Sequence, residues 1–361
     1  IFKLIFSAKW DFNAPQKKDL LIYDGMSIEN LYPILKKKNF DIYHVRCEKI
    51  NLYVLIYTIL NNGLLNLKQN YKLNYFKKVN PKAIITLIDD NPGFFRLKKL
   101  FPDTKYISIQ IALKGDNFFK YLKTFKKKNK NFEFQSDYSF ILGKNELLNY
   151  SKFLSSKFIS LGSLKNNNNP IKFQFKKPIT EITFISQFSY SKLNINPKKW
   201  RDYKIFQYLK NYFEKKNVKL RLLSRFEGDK KNREKFYREI YGKGNWEFIP
   251  NLNVNTTYRV VNSSQFIVFE TSTLGYEALS KKIKGVCFPK KFPYKDYSHN
   301  YKSSGLFWSQ NLNQKILNTK IDQIFKMKNK IWKYQVGNIV NNIVDYNPDN
   351  KSLKKIINKI I

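Results

Sequence analysis

The sequence predicts an α/β protein built as two Rossmann-like units of parallel sheet. Three observations lead there. Short apolar runs alternate with longer helix-patterned segments along most of the chain, as parallel βα units do. The run Phe266-Ile-Val-Phe269 stops at the hydroxyls of Thr271, Ser272 and Thr273 and restarts as a helix. A chain of 361 residues is also longer than one typical domain.

In the first unit, strands are expected at Leu20 to Tyr23, Ile42 to Val45, Ala83 to Ile88, Tyr106 to Ile109, Tyr138 to Leu142 and Phe158 to Leu161. The second series falls at Ile182 to Ile185, Lys219 to Leu223, Trp246 to Ile249, Phe266 to Phe269 and Gly285 to Phe288. Between them, Lys165 to Pro178 is rich in Asn and Lys and lacks a period that would bury a face. The domain reading is therefore 1–165, a linker over 166–178, and 179–361. After the last strand, 289–309 reads as a loop-rich insertion, followed by helices over 313–328 and 331–344 that are placed to pack back across the boundary.

A hydrophobic share of 42%, with 31 Phe and 24 Tyr, supplies core material and excludes global disorder. The longest mainly apolar run, Leu52 to Leu60, is far short of the ~20 residues of a spanning helix. Lys3 and Lys9 interrupt any signal-like core at the start, although residue 1 is Ile, so the reading frame is open there. Cys47 and Cys287 offer neither a disulfide framework nor metal spacing, which fits a reducing cytoplasm. The net charge of +40 invites a polyanion partner. Yet Lys and Asn are abundant everywhere, Asn166 to Asn169 being the extreme, as if a compositional bias had filled permissive surface. What remains is attraction to an anionic membrane surface from its inner, cytoplasmic side, while nucleic acid is set aside as a partner.

The chemistry concentrates at strand ends. Thr271, Ser272 and Thr273 suit the cap of a helix whose free N–H groups and positive end form an anion site, and Gly275 would let a phosphate approach the backbone. Glu277 has Leu274 three residues before it, so no capping box explains it; a sugar hydroxyl or the helix dipole does. In the first unit Asp24-Gly25 closes one strand, and Asp89-Asp90-Asn91-Pro92-Gly93 closes another just before a helix. One of these acids suits a base or nucleophile, the alternative being that Asp89 to Asn91 cap the helix. Gln110 closes the next strand on the same edge. Lys9, Arg221, Arg225, Arg259 and Lys290 are candidate phosphate contacts. His44 and His299 lack partner spacing, and no Asp-x-Asp, P-loop or CxxC motif is present, so neither a metal nor another cofactor is expected.

With these residues laid out, the chain resembles bacterial surface-carbohydrate biosynthesis proteins of capsule and O-antigen assembly, a group that looks like GT-B glycosyltransferases. The resemblance spans nearly the whole length. It rests on Lys-Trp-Asp-Phe at 9–12, Asp-Leu-Leu-Ile-Tyr-Asp at 19–24, Glu-Lys-Ile-Asn-Leu-Tyr-Val-Leu at 48–55, Ile-Asp-Asp-Asn-Pro-Gly-Phe-Phe at 88–95, Ile-Ser-Ile-Gln at 107–110, Leu-Gly-Ser-Leu-Lys-Asn-Asn at 161–167 and, above all, Ser-Thr-Leu-Gly-Tyr-Glu-Ala at 272–278. It implies a GT-B-like pair of Rossmann-like domains facing a central cleft, the first holding a glycan or lipid-linked acceptor and the second a nucleotide-sugar. Ser272, Thr273 and Gly275 would meet the donor phosphate and Glu277 a sugar hydroxyl, with an acid such as Asp90 activating the acceptor. Gly305-Leu-Phe-Trp-Ser309 departs from the Phe-Gly-Trp-type loop of such proteins. Two other readings stand beside transfer: an epimerase or polyol-phosphate transferase of the same architecture, and a non-catalytic basic protein coating glycans or membranes.

Overall fold

The computed structural model describes residues 8–171, 179–187, 196–214, 216, 218–224, 230–290 and 303–361. Thirteen strands lie among them: β1 Lys9–Asp11, β2 Leu20–Tyr23, β3 Phe40–Tyr43, β4 Lys49–Asn51, β5 Ala83–Thr86, β6 Lys105–Ile109, β7 Phe134–Ile141, β8 Leu154–Ser160, β9 Glu181–Ile185, β10 Lys219–Leu223, β11 Trp246–Ile249, β12 Phe266–Phe269 and β13 Lys284–Cys287. Every strand expected from the sequence is present, shifted at most by a few residues. The short parallel pair β1 and β4 was not expected, because three residues each carry no readable period.

The larger strands form two sheets, both parallel. One runs β3-β2-β5-β6-β7-β8 and the other β11-β10-β9-β12-β13. Each reverses its order of winding once, between β2 and β5 and between β9 and β12. These are the switch points where an open parallel sheet leaves a crevice at its carboxyl edge. In β2, Leu20 and Ile22 enter one core while Leu21 and Tyr23 enter the other. Burial on both faces is why the strand reads as an unbroken apolar run.

The two sheets are tied by the C-terminal part of the chain. The Gln314–Lys326 and Asn329–Ile343 helices pack in the core of the second sheet through Leu317, Ile321, Trp332 and Val336. The chain then crosses over, and the Lys351–Ile360 helix seats Leu353 and Ile357 in the core of the first sheet. The crossing is tight. Asp345 N donates to Leu142 O at 2.7 Å, and a Cβ at Gly143 or at Gly162, which has φ +77°, would strike the backbone of residues 342–345. The sequence placed the returning helices but not this last one, whose ten residues follow an Asn-Pro-Asp-Asn turn.

Residues 166–169 correct the reading of the asparagine run as surface filler. The Leu164–Asn168 helix, capped by Ser163, carries them at the junction of the two sheets, and the Asn166 and Asn167 side chains are fully buried. Asn166 Nδ2 donates to Ser280 Oγ at 3.1 Å and to Glu277 O at 3.3 Å. Asn167 Nδ2 donates to Leu161 O and Asn350 Oδ1, both at 2.8 Å, while Asn168 bonds Asn30 O and Asn350. Asn169 O accepts from Asn262 and Lys281. A short amide with two donors and an acceptor satisfies crowded backbone without bringing in charge, which is why asparagine serves here. Residues 172–178 of the expected linker, like most of the 289–309 insertion, Arg225 and His299, lie outside the described residues.

Candidate active site

A cleft of about 1230 Å³ opens between the two sheets, above the size of a typical small-molecule pocket. The first unit contributes Glu29, Tyr32, Lys36 and Phe40; the junction contributes Lys165, Asn168 and Asn169. Opposite stand the loop after β11, with Asn251 and Asn253, and the starts of two helices, Val254–Ser263 and Thr273–Ser280.

The two helix starts differ. Asn253 and Thr256 form a capping box on the first, so its leading N–H groups are engaged. Ser272 begins the second without any side-chain cap bond, leaving its first-turn N–H groups to the opening. Thr273 Oγ1 accepts from Leu113 N of the first unit at 3.4 Å, so this turn faces the carboxyl edge of the first sheet. Thr271 is turned away from the cleft, donating to Gln187 Oε1 at 3.1 Å at the β9/β12 switch point.

Glu277 lines the cleft yet is only 3% exposed. Tyr258 and Ser163 donate to its carboxylate. Burial pushes the Glu277 carboxyl above its usual range, against the pull of those two bonds and of Lys281 and Lys165. Burial likewise draws the Lys281 ammonium down to about 8, with Glu277 opposing. Glu277 lies one turn beyond the helix start, so complementing the dipole does not account for it. Gly275 has a reason different from the expected one: a Cβ there would sit 2.5 Å from the Phe269 ring, so the glycine lets helix and strand pack closely.

None of Asp24, Asp89, Asp90, Asn91 and Gln110 lines the cleft. Asp89 is buried, accepting from the Tyr150 hydroxyl and pairing with Lys114 Nζ at 2.9 Å. Lys114 also reaches Asp90 Oδ2 at 3.6 Å. Burial alone would lower the Lys114 ammonium, but the two carboxylates outweigh it and hold it protonated. The Asp90 side chain is 41% exposed, the most accessible acid of this edge. Asn91 caps the Pro92–Leu100 helix, accepting from Gly93 N at 2.8 Å, which is the structural alternative weighed from the sequence. Asp24 accepts from Met26 N and pairs with Arg46 at 3.0 Å. Gln110 is fully engaged with Glu146, Ala112 O and Leu142 N. Among the basic candidates, Arg221 is paired with Glu181 on the neighbouring strand.

Tyr258, Lys281 and Asn251 escaped sequence reasoning, and Ser163 entered it only within the 161–167 segment, without a role. Tyr258 sits on an ordinary amphipathic helix, and only its distance from Glu277 in space reveals its role. Gly305-Leu-Phe-Trp-Ser309 packs Phe307 and Trp308 against Cys287 and the core of the second sheet.

Two parallel sheets with opposed carboxyl edges, joined by a returning C-terminal helix, define a GT-B-like protein. Similar folds are the UDP-GlcNAc 2-epimerase from Neisseria meningitidis bound to UDP-GlcNAc (TM-score 0.55, 11% identity, 94% of this chain and 99% of that one) and the sucrose-phosphate synthase from Thermosynechococcus elongatus (0.53, 11%, 96% and 99%). The S. aureus MnaA–UDP co-structure is a third, at 0.51 and 11%, covering 95% and 98%. Residues 109–361 match the family described as "putative O-antigen biosynthesis protein", and the chain belongs to that family. No curated protein matches the chain at the sequence level.

Proposed function

We propose that the protein is a glycosyltransferase of surface-polysaccharide assembly that moves a sugar from a nucleotide-sugar donor to a glycan or lipid-linked acceptor. The observation that carries the reading is the uncapped start of the Thr273–Ser280 helix, which opens with Glu277 onto the cleft between the two sheets. Backbone N–H groups at Thr273 and Leu274, with the positive helix end, suit a diphosphate. Glu277, held by Tyr258 and Ser163, would accept from a sugar hydroxyl of the nucleotide. Asp90 does not line the cleft, but it is the most accessible acid on the first sheet's carboxyl edge, which meets the Thr273 turn at Leu113, so it would serve as base to an acceptor entering from that edge.

In this scheme Asp90 takes the proton of the acceptor hydroxyl as its oxygen attacks the anomeric carbon. The bond from that carbon to the diphosphate oxygen breaks, and the helix start holds the departing charge. Lys114 stays protonated beside Asp89 and Asp90 and fixes the loop that carries them. The family and its nucleotide-binding structural relatives support this assignment, and the relatives named as UDP-GlcNAc 2-epimerases favour epimerisation as a second reading.

The test is a thermal-shift screen with UDP, GDP, CDP, CMP and their sugar conjugates, followed by product analysis with whichever donor shifts the melt. A selective shift and a new glycosidic bond are expected. Free epimerised sugar would establish the second reading, and no shift with any nucleotide would overturn both.

A further inference from the structure

Residues 50–67 contain no charged side chain, in a chain that carries 67 Lys and Arg. The Leu52–Asn62 helix in this stretch buries only Val54 and Thr58. Its outer stripe of Tyr53, Ile56, Tyr57 and Leu60 recurs at helical spacing and is exposed, and the turn beyond adds Leu64 and Leu65, 73% and 79% exposed. A contiguous apolar patch of this kind marks an interaction surface.

Beside it lies a cavity of about 460 Å³, lined by Tyr23 and Tyr43 from the ends of β2 and β3 and by Lys68 and Lys72 from the Leu67–Val79 helix. It therefore opens at the carboxyl edge of the first sheet. Arg96 and Lys68 both act on Lys72 as like charges. None of these three cations forms an ion pair among the described residues, unlike Lys98 and Lys114 nearby, which pair with Asp137 and Asp89. Unbalanced positive charge beside an apolar face suits an anion carried on a lipid.

We propose that the Tyr53–Leu65 stripe lies in the interface of an anionic bilayer, and that the Lys68/Lys72 cavity receives the phosphate of a lipid held there. The occupant is a bilayer rather than a second copy, because two chains of charge +40 repel one another. An eleven-residue helix is about 16 Å long, so it lies along the interface and does not cross it. Lys78 sits over the Tyr57 ring at 4.4 Å and the Tyr53 ring at 5.5 Å, giving the stripe an aromatic and basic rim at headgroup level. The inference deepens the transferase reading by giving the acceptor a lipid phosphate, and it rests on that reading only for the lipid's part in transfer.

The test is flotation of the full chain with phosphatidylcholine vesicles, with and without about one third phosphatidylglycerol, in the absence of any nucleotide-sugar. Binding to the anionic vesicles is expected. Leu60→Glu with Leu64→Glu should lower the partition coefficient about tenfold or more, and Lys68→Glu with Lys72→Glu should remove the preference for the anionic lipid. If the leucine variant fails to melt cooperatively, the lysine variant decides. Equal flotation of wild type and variants overturns the proposal. So does a thermal shift with millimolar glycerol phosphate in a chain that does not float, which would assign the cavity to a free phosphate. A dimer in sedimentation that the leucine substitutions dissolve would assign the face to a second copy, and overturns it too. Flotation without sugar transfer leaves this inference standing and removes the transferase reading; transfer to a soluble glycan without flotation does the reverse.

Discussion

The carboxyl edges of the two sheets touch where Leu113 N meets Thr273, and they manage their polar groups in opposite ways. The first ends its strands in charges and amides that are already engaged: Asp24 with Arg46, Asp89 with Lys114 and Tyr150, Gln110 with Glu146. The second ends in hydroxyls, with Ser272 making no side-chain cap bond and Thr273 accepting from a backbone N–H of the first unit. Charges buried at a strand end must be paired to be tolerated, so they become structural. Neutral hydroxyls and uncapped N–H groups can remain open to a ligand. The comparison separates residues that hold the edge together from residues free to act on a substrate.

The sharpest break would come from function. Asp90→Asn should lower sugar transfer by about 100-fold or more with an unchanged melt, whereas Asp89→Asn should lower the melting temperature by stranding Lys114. Equal loss of stability in both would erase the distinction between the two acids. Glu277→Gln should abolish the nucleotide-induced thermal shift while keeping the bond from Tyr258.

Next in size are packing effects. Gly275→Val should cost about 1–3 kcal/mol, read in denaturant melts, because its side chain meets Phe269. A variant of full stability that had lost only nucleotide affinity would restore the phosphate role expected from the sequence. Asn167→Ala should cost about 1–3 kcal/mol by leaving Leu161 O and Asn350 short of a donor.

The smallest effect concerns pH. A carboxyl raised by burial, as Glu277 is, contributes stability that is present below its unfolded value near 4.5 and is lost as pH rises through its folded value. Melts of wild type and Glu277→Gln at pH 5 and 8 should show the variant gaining on the wild type at the higher pH. A wild type that instead gains on the variant as pH rises would mean the carboxylate is stabilised in place.

Much of the fold was legible because a strand buried on both faces leaves an unbroken apolar run, as Leu20–Tyr23 and Phe266–Phe269 do. What was hidden depends on distance in space. Glu277 stood out from the sequence, but nothing local links it to Tyr258 or to Ser163, more than a hundred residues away. Asn166 to Asn169 looked like filler because polar residues at a junction are compositionally the same as polar residues on a surface. Gly275 was read as making room for a ligand when it makes room for Phe269, since a sequence shows where space is needed and not what fills it.

The Lys351–Ile360 helix has a consequence for how the protein is made. Residues 20–35 emerge from the ribosome long before Leu353 and Ile357, which cover the same core face. Throughout that interval the growing polypeptide carries Leu20, Ile22, Leu31 and Leu35 without their final cover, a state that invites chaperones and aggregation. Native order in the earlier-translated half is thus completed by residues joined much later, and a release at residue 350 would leave that half unfinished.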